Sequence, residues 1–277
     1  MALQKTKQRI KDFIKHRNAQ TQYEFYQRLF DGEKTAALKT LIIPKRAGER
    51  DLFADYKARK TMNADEVLSI LQQYDVISFD IFDTLLFRKL PRPTDVFSLV
   101  EKSVDIPGFA QARIQAEQAA RQKMQRLFST TEVQLQGIYT ELMPLYGTRC
   151  DEIQRKEIQT EFDCCYANPV MAALVRKLQR MGKTIIAVSD MYLPQKVIVR
   201  LLENCGFTQL ERIYVSCEYK VGKADGRLFQ IVHEQYPQKS IIHIGDNFRS
   251  DVIKKSMDRM YSLHYICEVR ENDTNWK

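Results

Sequence analysis

The sequence has no apolar run approaching the length of about eighteen residues that a membrane-spanning helix needs. Its start lacks the apolar core of a signal peptide, and no internal repeat or low-complexity segment is present. The six cysteines include no CxxC pair, so a disulfide framework is not expected. These absences predict a cytoplasmic protein whose cysteines are reduced thiols, most of them in the core.

The net charge of +8 is concentrated in the first part of the chain. Residues 1–62 contain 15 lysines and arginines against 7 acidic residues, whereas residues 63–277 contain 28 of each. Apolar residues at helical spacing predict that this basic segment is a helical extension. Two interpretations stay open: a solvated helix face packed on the body, or a peripheral contact with an anionic membrane or another polyanion. No nucleic-acid-binding motif and no basic stripe occur in the body, so specific nucleic-acid binding is not expected.

Residues 76–86 form the segment around which the chain is organised. They begin as an apolar, β-branched run that is typical of a buried parallel strand, and then provide Asp80, Asp83 and Thr84. After residue 168, short apolar strands alternate with amphipathic helices. This alternation predicts an α/β fold with a doubly wound, Rossmann-like parallel sheet.

Between these parts, residues 91–168 are predicted to form an all-helical insert. Ser129 and Glu132 form a capping signature that predicts the start of its third helix. The predicted helices of the insert span residues 95–104, 109–127, 132–145 and 151–165. The predicted domains are a basic helical extension at 1–62, a core at 63–90 and 169–277, and the helical insert at 91–168.

Polar residues follow four strands of the predicted sheet. In a parallel sheet the carboxyl ends of all strands open on one crevice. Carboxylates about 4 Å apart repel by about 4 kcal/mol per pair at an effective dielectric constant near 20, and a hard divalent cation such as Mg²⁺ relieves this repulsion. The set therefore indicates metal-assisted phosphoryl chemistry with a carboxylate nucleophile. Its members are Asp80, Asp83 and Thr84, then Ser189 and Asp190, then Lys223, and last Asp246, Asn247, Arg249 and Asp251.

The order of these motifs resembles that of the haloacid dehalogenase superfamily, most of whose members are phosphohydrolases. The resemblance covers about residues 70–270, and the helical insert lies where the family carries its helical cap. The matching segments are FDIFDTL at 79–85, VSD at 188–190, Lys223 with GRLF at 226–229, and GDNFRSD at 245–251.

The resemblance implies roles for the residues that would hold Mg²⁺. Asp80 would be the nucleophile that forms an aspartyl-phosphate, and its second oxygen would bind Mg²⁺. The backbone carbonyl of Phe82 would be another ligand. Asp246 would bind the metal directly, and Asp251 would bind it directly or through water.

The remaining matched residues would contact the substrate. Ser189 would hold a phosphoryl oxygen, and Lys223 would tie the phosphoryl group to the nucleophile. Arg88 and Arg249 have two interpretations: they bind a second anionic group, or they are solvent-facing loop arginines. Further predicted substrate contacts are Thr84 and Asp190.

One departure from the family pattern affects the expected chemistry. Phosphatase members place a general acid–base aspartate two residues after the nucleophile, where this chain has Phe82, and Asp83 follows one position later. Dehalogenase members also lack that carboxylate. Such acid–base help contributes about 10²- to 10⁴-fold in rate. Three alternatives stay open: Asp83 takes the role, hydrolysis proceeds without it, or the chemistry differs.

The sequence thus predicts a magnesium-dependent phosphatase that acts on a small phosphomonoester or a phosphorylated saccharide. A dehalogenase-like hydrolase and a non-catalytic binding or scaffold protein are the alternatives. The pattern FDxFDTLL, followed by Arg88 and by SDMYL at 189–193, resembles a subgroup of hydrolases associated with bacterial surface-polysaccharide loci. His243, inside an apolar strand, is predicted to be a core residue rather than a ligand.

Overall fold

The computed structural model describes residues 64–252 and 259–265, all of which belong to one compact unit. The predicted basic extension at 1–62 lies outside the described residues. Among the described helices, none combines the length and the apolar character that crossing a membrane requires.

The described strands are short and their side chains are mostly buried. In chain order they are β1 (Val76–Phe79), β2 (Leu86–Arg88), β3 (Cys165–Ala167), β4 (Thr184–Ser189), β5 (Arg212–Val215), β6 (Ile241–Gly245) and β7 (Met260–His264). The helices are α1 (Ala64–Leu71), α2 (Asp95–Val104), α3 (Phe109–Phe128), α4 (Leu135–Tyr146), α5 (Cys150–Cys164), α6 (Pro169–Arg180), α7 (Gln195–Asn204), α8 (Ser216–Tyr219) and α9 (Arg227–Gln235).

Five strands form a parallel sheet in the order β5-β4-β1-β6-β7, which confirms the predicted doubly wound α/β fold. The first strand, β1, lies in the middle, and its Val76 pairs with Thr184 on one side and Ile241 on the other. All four β1 residues are buried, as the continuous apolar run predicted. The central position of β1 places the residue after it, Asp80, in the middle of the crevice at the sheet's carboxyl edge.

The strands β2 and β3 form a separate antiparallel pair that connects the sheet to the helical insert. Arg88 pairs with Cys165, and Leu86 with Ala167. The prediction that the last insert helix reaches Cys165 is therefore wrong by one residue, since α5 ends at Cys164. Strands of three residues are too short to show an alternating pattern, which is why neither was predicted.

The helices α2 to α5 form the insert, with α3 packed on α4 and α2 packed on α5. The helix start at residue 132, predicted from Ser129 and Glu132, is wrong. Ser129 adopts a left-handed conformation (φ 55°), and its N–H donates to the carbonyl of Gln125, so it ends α3. The next helix begins at Leu135, and the intervening residues form a connecting segment that we call the insert loop (residues 129–134).

A buried ion pair lies in the core of the insert. The guanidinium of Arg113 is fully buried and donates two hydrogen bonds of 2.8 Å to Glu157. The same group lies between the rings of Phe97 and Tyr192, at 4.4 and 4.8 Å from their centroids. Tyr139 donates a further 2.8 Å bond to Glu157. The carboxylate is thus fully compensated only while Arg113 is present.

Truncating Arg113 should destabilise the fold strongly. Arg113→Ala leaves the Glu157 carboxylate buried without its cation, which costs about 3–5 kcal/mol of unfolding free energy in comparable pairs. Lys123→Ala is the matched control, because the Lys123–Glu141 pair is solvent-exposed and should contribute at most about 1 kcal/mol. Urea unfolding followed by circular dichroism measures both changes. Equal losses in the two variants would contradict the prediction.

Candidate functional site

The site begins at Asp80, which directly follows the central strand β1. Its backbone N–H donates a 2.8 Å bond to the carbonyl of Ile244, so the sheet ladder holds the residue after the strand has ended. The residue is only 6% exposed. A carboxylate at this depth requires charge compensation.

Lys223 provides a positive charge inside the site. Its Nζ lies 2.6 Å from Oδ1 of Asp80 and also contacts Oδ1 of Asp251. Burial opposes the charged ammonium, but Asp251 and Asp80 outweigh it and raise the pKa of Lys223 above its ordinary value. The lysine is therefore a permanent cation between two strand ends.

One ammonium does not balance the carboxylates equally. Burial raises the pKa of Asp80 well above its ordinary value. Lys223 opposes this rise, and the negative charges of Asp251 and Asp246 add to it. For Asp251, burial is outweighed by Lys223 and His243, so its pKa is lowered. The arrangement holds Asp251 ionised and leaves Asp80 in need of further positive charge.

The carboxylates of Asp80, Asp246 and Asp251 offer oxygens that all lie within 4.8 Å of one another. Oxygen ligands at this spacing, with an incompletely neutralised negative charge, fit a divalent cation. Thr84 is fully buried, and its hydroxyl lies 3.5 Å from Oδ1 of Asp246. Asp80 and Thr84, which follow β1, thus meet Asp246 and Asp251, which follow β6, at one edge of the sheet.

The geometry around Asp251 leaves no room for a side chain at Gly245. A Cβ there would lie 2.3 Å from the carboxyl carbon of Asp251. On the other side, the N–H of Asn247 donates a 2.8 Å bond to Oδ2 of Asp251. The glycine before Asp246 is therefore needed so that the Asp251 carboxylate can lie against the backbone.

The segment after β4 is bonded to the loop between α8 and α9 that carries Lys223, which we call the lysine loop (residues 220–226). Ser189 ends the strand and is buried, while Asp190 accepts bonds of 2.9 and 3.2 Å from the backbone N–H of Lys223. Burial raises the pKa of Asp190 to about 6; Lys223 opposes this shift and Glu132 of the insert loop adds to it. In this structure Asp190 positions the lysine loop, a role that was not predicted.

The two arginines predicted near the substrate have different surroundings. Arg88 is buried, donates a 3.0 Å bond to Glu161 of α5, and lies over the Phe82 ring at 4.1 Å. Its guanidinium is thus bonded to the insert. This contact does not bring the guanidinium to the aspartates of the site. Arg249 is exposed, with its backbone N–H bonded to Oδ1 of Asn247.

Asp83 lies in a tight turn between the two sheets. Its backbone is in the left-handed region (φ 64°), and its N–H donates a 2.7 Å bond to the carbonyl of Leu86. Aspartate and asparagine tolerate this conformation better than other non-glycine residues. The turn therefore accounts for an aspartate at position 83, whatever its side chain contributes to chemistry.

His243 is buried as predicted, but it also contacts the site. Its Nδ1 lies 2.8 Å from the hydroxyl of Ser78, and its Nε2 lies 3.5 Å from Oδ1 of Asp251. Ser78 and His243 are paired across β1 and β6. The sequence signal for this contact was that Ser78 and His243 are polar residues in otherwise apolar strands. The sequence does not show that the two strands are neighbours.

Comparison with known proteins gives one family. A family model described as a haloacid dehalogenase-like hydrolase matches residues 74–253. No curated protein matches the chain.

Solved structures with a similar fold include the magnesium-bound HAD-hydrolase YfnB of Bacillus subtilis, which is 18% identical with a TM-score of 0.47, over 72% of this chain and 97% of that one. The 2-haloacid dehalogenase of Pseudomonas syringae is 14% identical, with a TM-score of 0.49 over 74% and 100% of the two chains. The L-2-haloacid dehalogenase of Xanthobacter autotrophicus is 14% identical, with a TM-score of 0.44 over 65% and 72%. Similarity at this level assigns no substrate to this chain.

Replacing Gly245 should disturb Asp251 directly. We expect Gly245→Ala to lower the unfolding free energy by about 1–3 kcal/mol, because the new methyl group overpacks a buried site. The affinity for a divalent cation, titrated with Mg²⁺ by calorimetry, should fall as well. Gly137→Ala in α4 is the control, since its Cβ would meet only a methyl of Val133 at 3.3 Å. Unchanged stability and affinity in Gly245→Ala would contradict this description of the site.

The raised pKa of Asp190 has a defined effect on stability. Between its unfolded pKa near 3.9 and its folded pKa of about 6, the folded protein binds a proton that the unfolded chain has released. Stability from this group is therefore present at low pH and is lost as the pH rises through about 6. Relative to Asp190→Asn, wild type should lose about 1 kcal/mol between about pH 4 and pH 7, after allowing for solvent screening at this partly exposed carboxylate. Urea unfolding at both pH values tests this, and a relative gain by wild type would show that Lys223 dominates.

Proposed function

The chain belongs to the haloacid dehalogenase-like hydrolases, and we propose that it is a magnesium-dependent phosphatase that cleaves a phosphomonoester through an aspartyl-phosphate. One observation carries the proposal: buried Asp80, in contact with Lys223, shares a crevice with the carboxylates of Asp246 and Asp251. A nucleophilic carboxylate, a fixed cation and oxygen ligands for a metal are the groups that phosphoryl transfer to an aspartate requires.

In the proposed reaction a carboxylate oxygen of Asp80 attacks phosphorus, and the bond from phosphorus to the ester oxygen breaks. The leaving alkoxide takes a proton from water and departs as the alcohol, and a second water molecule then hydrolyses the acyl phosphate, which releases phosphate and restores the carboxylate. Lys223 holds a positive charge beside the oxygens on which negative charge increases. Asp80 and Asp246 would hold Mg²⁺, with Asp251 as a further ligand, and the metal would supply charge neutralisation.

The proton for the leaving group has no carboxylate source at position 82. The ring of Phe82 lies under Arg88, so this position is occupied by an aromatic contact rather than by an acid. Asp83 is the nearest carboxylate in sequence, and its turn conformation makes a structural role sufficient. Esters with good leaving groups should therefore be the best substrates, because their departure needs least protonation.

The insert loop favours a small substrate. Thr130 donates a 2.8 Å bond to the carbonyl of Lys220, and Leu135 donates a 2.9 Å bond to the carbonyl of Tyr192. These bonds hold the insert loop and the first residue of α4 against the segments that carry Lys223 and Asp190. A substrate enclosed by such contacts would be a small phosphomonoester, and a saccharide phosphate is the class that we propose.

Dehalogenation is the second candidate, and the absence of a carboxylate at Phe82 is the observation that favours it. The clustered Asp246 and Asp251 oppose it, because a reaction without a metal has no use for two further carboxylates beside the nucleophile. Activity that is independent of Mg²⁺ would favour the dehalogenase, and activity that requires Mg²⁺ the phosphatase.

Asp80→Asn should abolish phosphate release, because an amide cannot act as the nucleophile. The assay uses purified protein, Mg²⁺, and a panel of aryl, alkyl and saccharide phosphates, with released phosphate as the readout. Asp105→Asn is the matched control, since Asp105 is an exposed residue of the insert whose left-handed backbone accepts asparagine. Wild type and Asp80→Asn that are equally inactive across the panel would refute the proposed function.

A further inference from the structure

We propose that His243 is a positioning residue for the metal site. Its Nε2–H holds the carboxylate of Asp251, while Ser78 fixes the opposite side of the imidazole ring. This assignment rests on the proposed metal-dependent function. The imidazole is fully buried beneath the crevice and lies on the core side of Asp251. It is thus placed to act on Asp251 rather than on a substrate.

The contacts form a continuous chain from the central strand to the site. The hydroxyl of Ser78 lies 2.8 Å from Nδ1 of His243, and Nε2 lies 3.5 Å from Oδ1 of Asp251. The same Oδ1 contacts Nζ of Lys223, which lies 2.6 Å from Asp80. A strand-interior serine is therefore connected to the proposed nucleophile through three side chains.

The chemistry of the partners assigns the tautomer. A neutral imidazole carries one N–H, and a carboxylate oxygen only accepts hydrogen bonds. Nε2 lies 3.5 Å from Oδ1 of Asp251, so it is the nitrogen that donates. The proton therefore lies on Nε2, and Nδ1 accepts the hydrogen of the Ser78 hydroxyl. This arrangement satisfies both ring nitrogens in a site where an unpaired polar atom is costly.

The contact with His243 gives Asp251 a second partner, which matters because Asp251 shares the ammonium of Lys223 with Asp80. Lys223 bonds both Asp80 and Asp251, so any movement of the ammonium toward a phosphoryl group weakens its hold on Asp251. The N–H of Asn247 donates to Oδ2 of Asp251, and Nε2 of His243 lies 3.5 Å from Oδ1 of the same carboxylate. The carboxylate then keeps its orientation when the lysine turns to a substrate. Groups of this kind behind a metal ligand contribute about 10- to 100-fold in metal affinity.

The edge of the Phe229 ring packs on the imidazole, with centroids 4.8 Å apart. This contact allows packing to be separated from hydrogen bonding. Phe229→Leu disturbs the packing of His243 and leaves both of its hydrogen bonds possible, whereas His243→Leu removes the bonds. Gln is the conservative variant, because its amide N–H reaches about as far as Nε2.

The test is Mg²⁺ titration by calorimetry of the full chain, with the fold of each variant checked by circular dichroism. His243→Leu should weaken the affinity about 10- to 100-fold, and His243→Gln should recover part of it. Ser78→Ala, which frees the ring without removing it, should fall between wild type and His243→Leu. Phe229→Leu should retain nearly wild-type affinity. If His243→Leu fails to fold, the comparison of His243→Gln and Ser78→Ala with wild type decides in its place.

A second readout is independent of the metal. Nitrogen-15 NMR of the imidazole in wild type should show a neutral ring protonated on Nε2, and a ring protonated on Nδ1 would overturn the assignment. Equal Mg²⁺ affinity in wild type, His243→Gln and Ser78→Ala, with a loss in Asp251→Asn, would also overturn it. A wild-type protein that binds no Mg²⁺ refutes the proposed function instead, and the tautomer alone then decides the assignment of His243.

Discussion

The contact of Lys223 with Asp80 and Asp251 is the interaction on which the rest of the site depends. Without the ammonium, two carboxylates would be buried at the sheet edge next to a third, Asp246, and their repulsion in a low dielectric would be prohibitive. With it, the three carboxylates together still carry more negative charge than the ammonium balances, and burial with Asp251 and Asp246 raises the pKa of Asp80. A divalent cation at the proposed metal site would supply the missing positive charge.

The loop that carries Lys223 is itself held by two other parts of the molecule. Asp190, after β4, accepts the backbone N–H of Lys223, and Thr130 of the insert loop donates to the carbonyl of Lys220. The insert therefore contacts the loop that delivers the cation, only three residues from it. Displacement of the insert would remove a bond that orders this loop.

Most of the sheet could be predicted, because its strands are continuous apolar runs that end in polar residues, as in residues 76–80 and at Ser189. Parallel topology places Asp80 and Asp246 at the same edge of the sheet, whereas Lys223 reaches them from a loop beyond α8. Other features depend on which elements are neighbours in space. The partner of Arg88 is Glu161, 73 residues away, and a sequence shows the two charges without their pairing. The same limit applies to His243, whose contact with Ser78 exists only because β1 and β6 are adjacent.

The Phe82 position shows how the insert and the chemistry are connected. Its ring lies beneath the Arg88 guanidinium, which is bonded to Glu161 of α5. Desolvation makes such a pair dependent on good geometry, so the three groups fix one another's positions. An acidic side chain at residue 82 would compete with Glu161 for the arginine and weaken the contact between β2 and the insert. The aromatic residue is therefore compatible with the buried ion pair in a way that an acid would not be, and the departure from the phosphatase pattern has a structural cause within this chain.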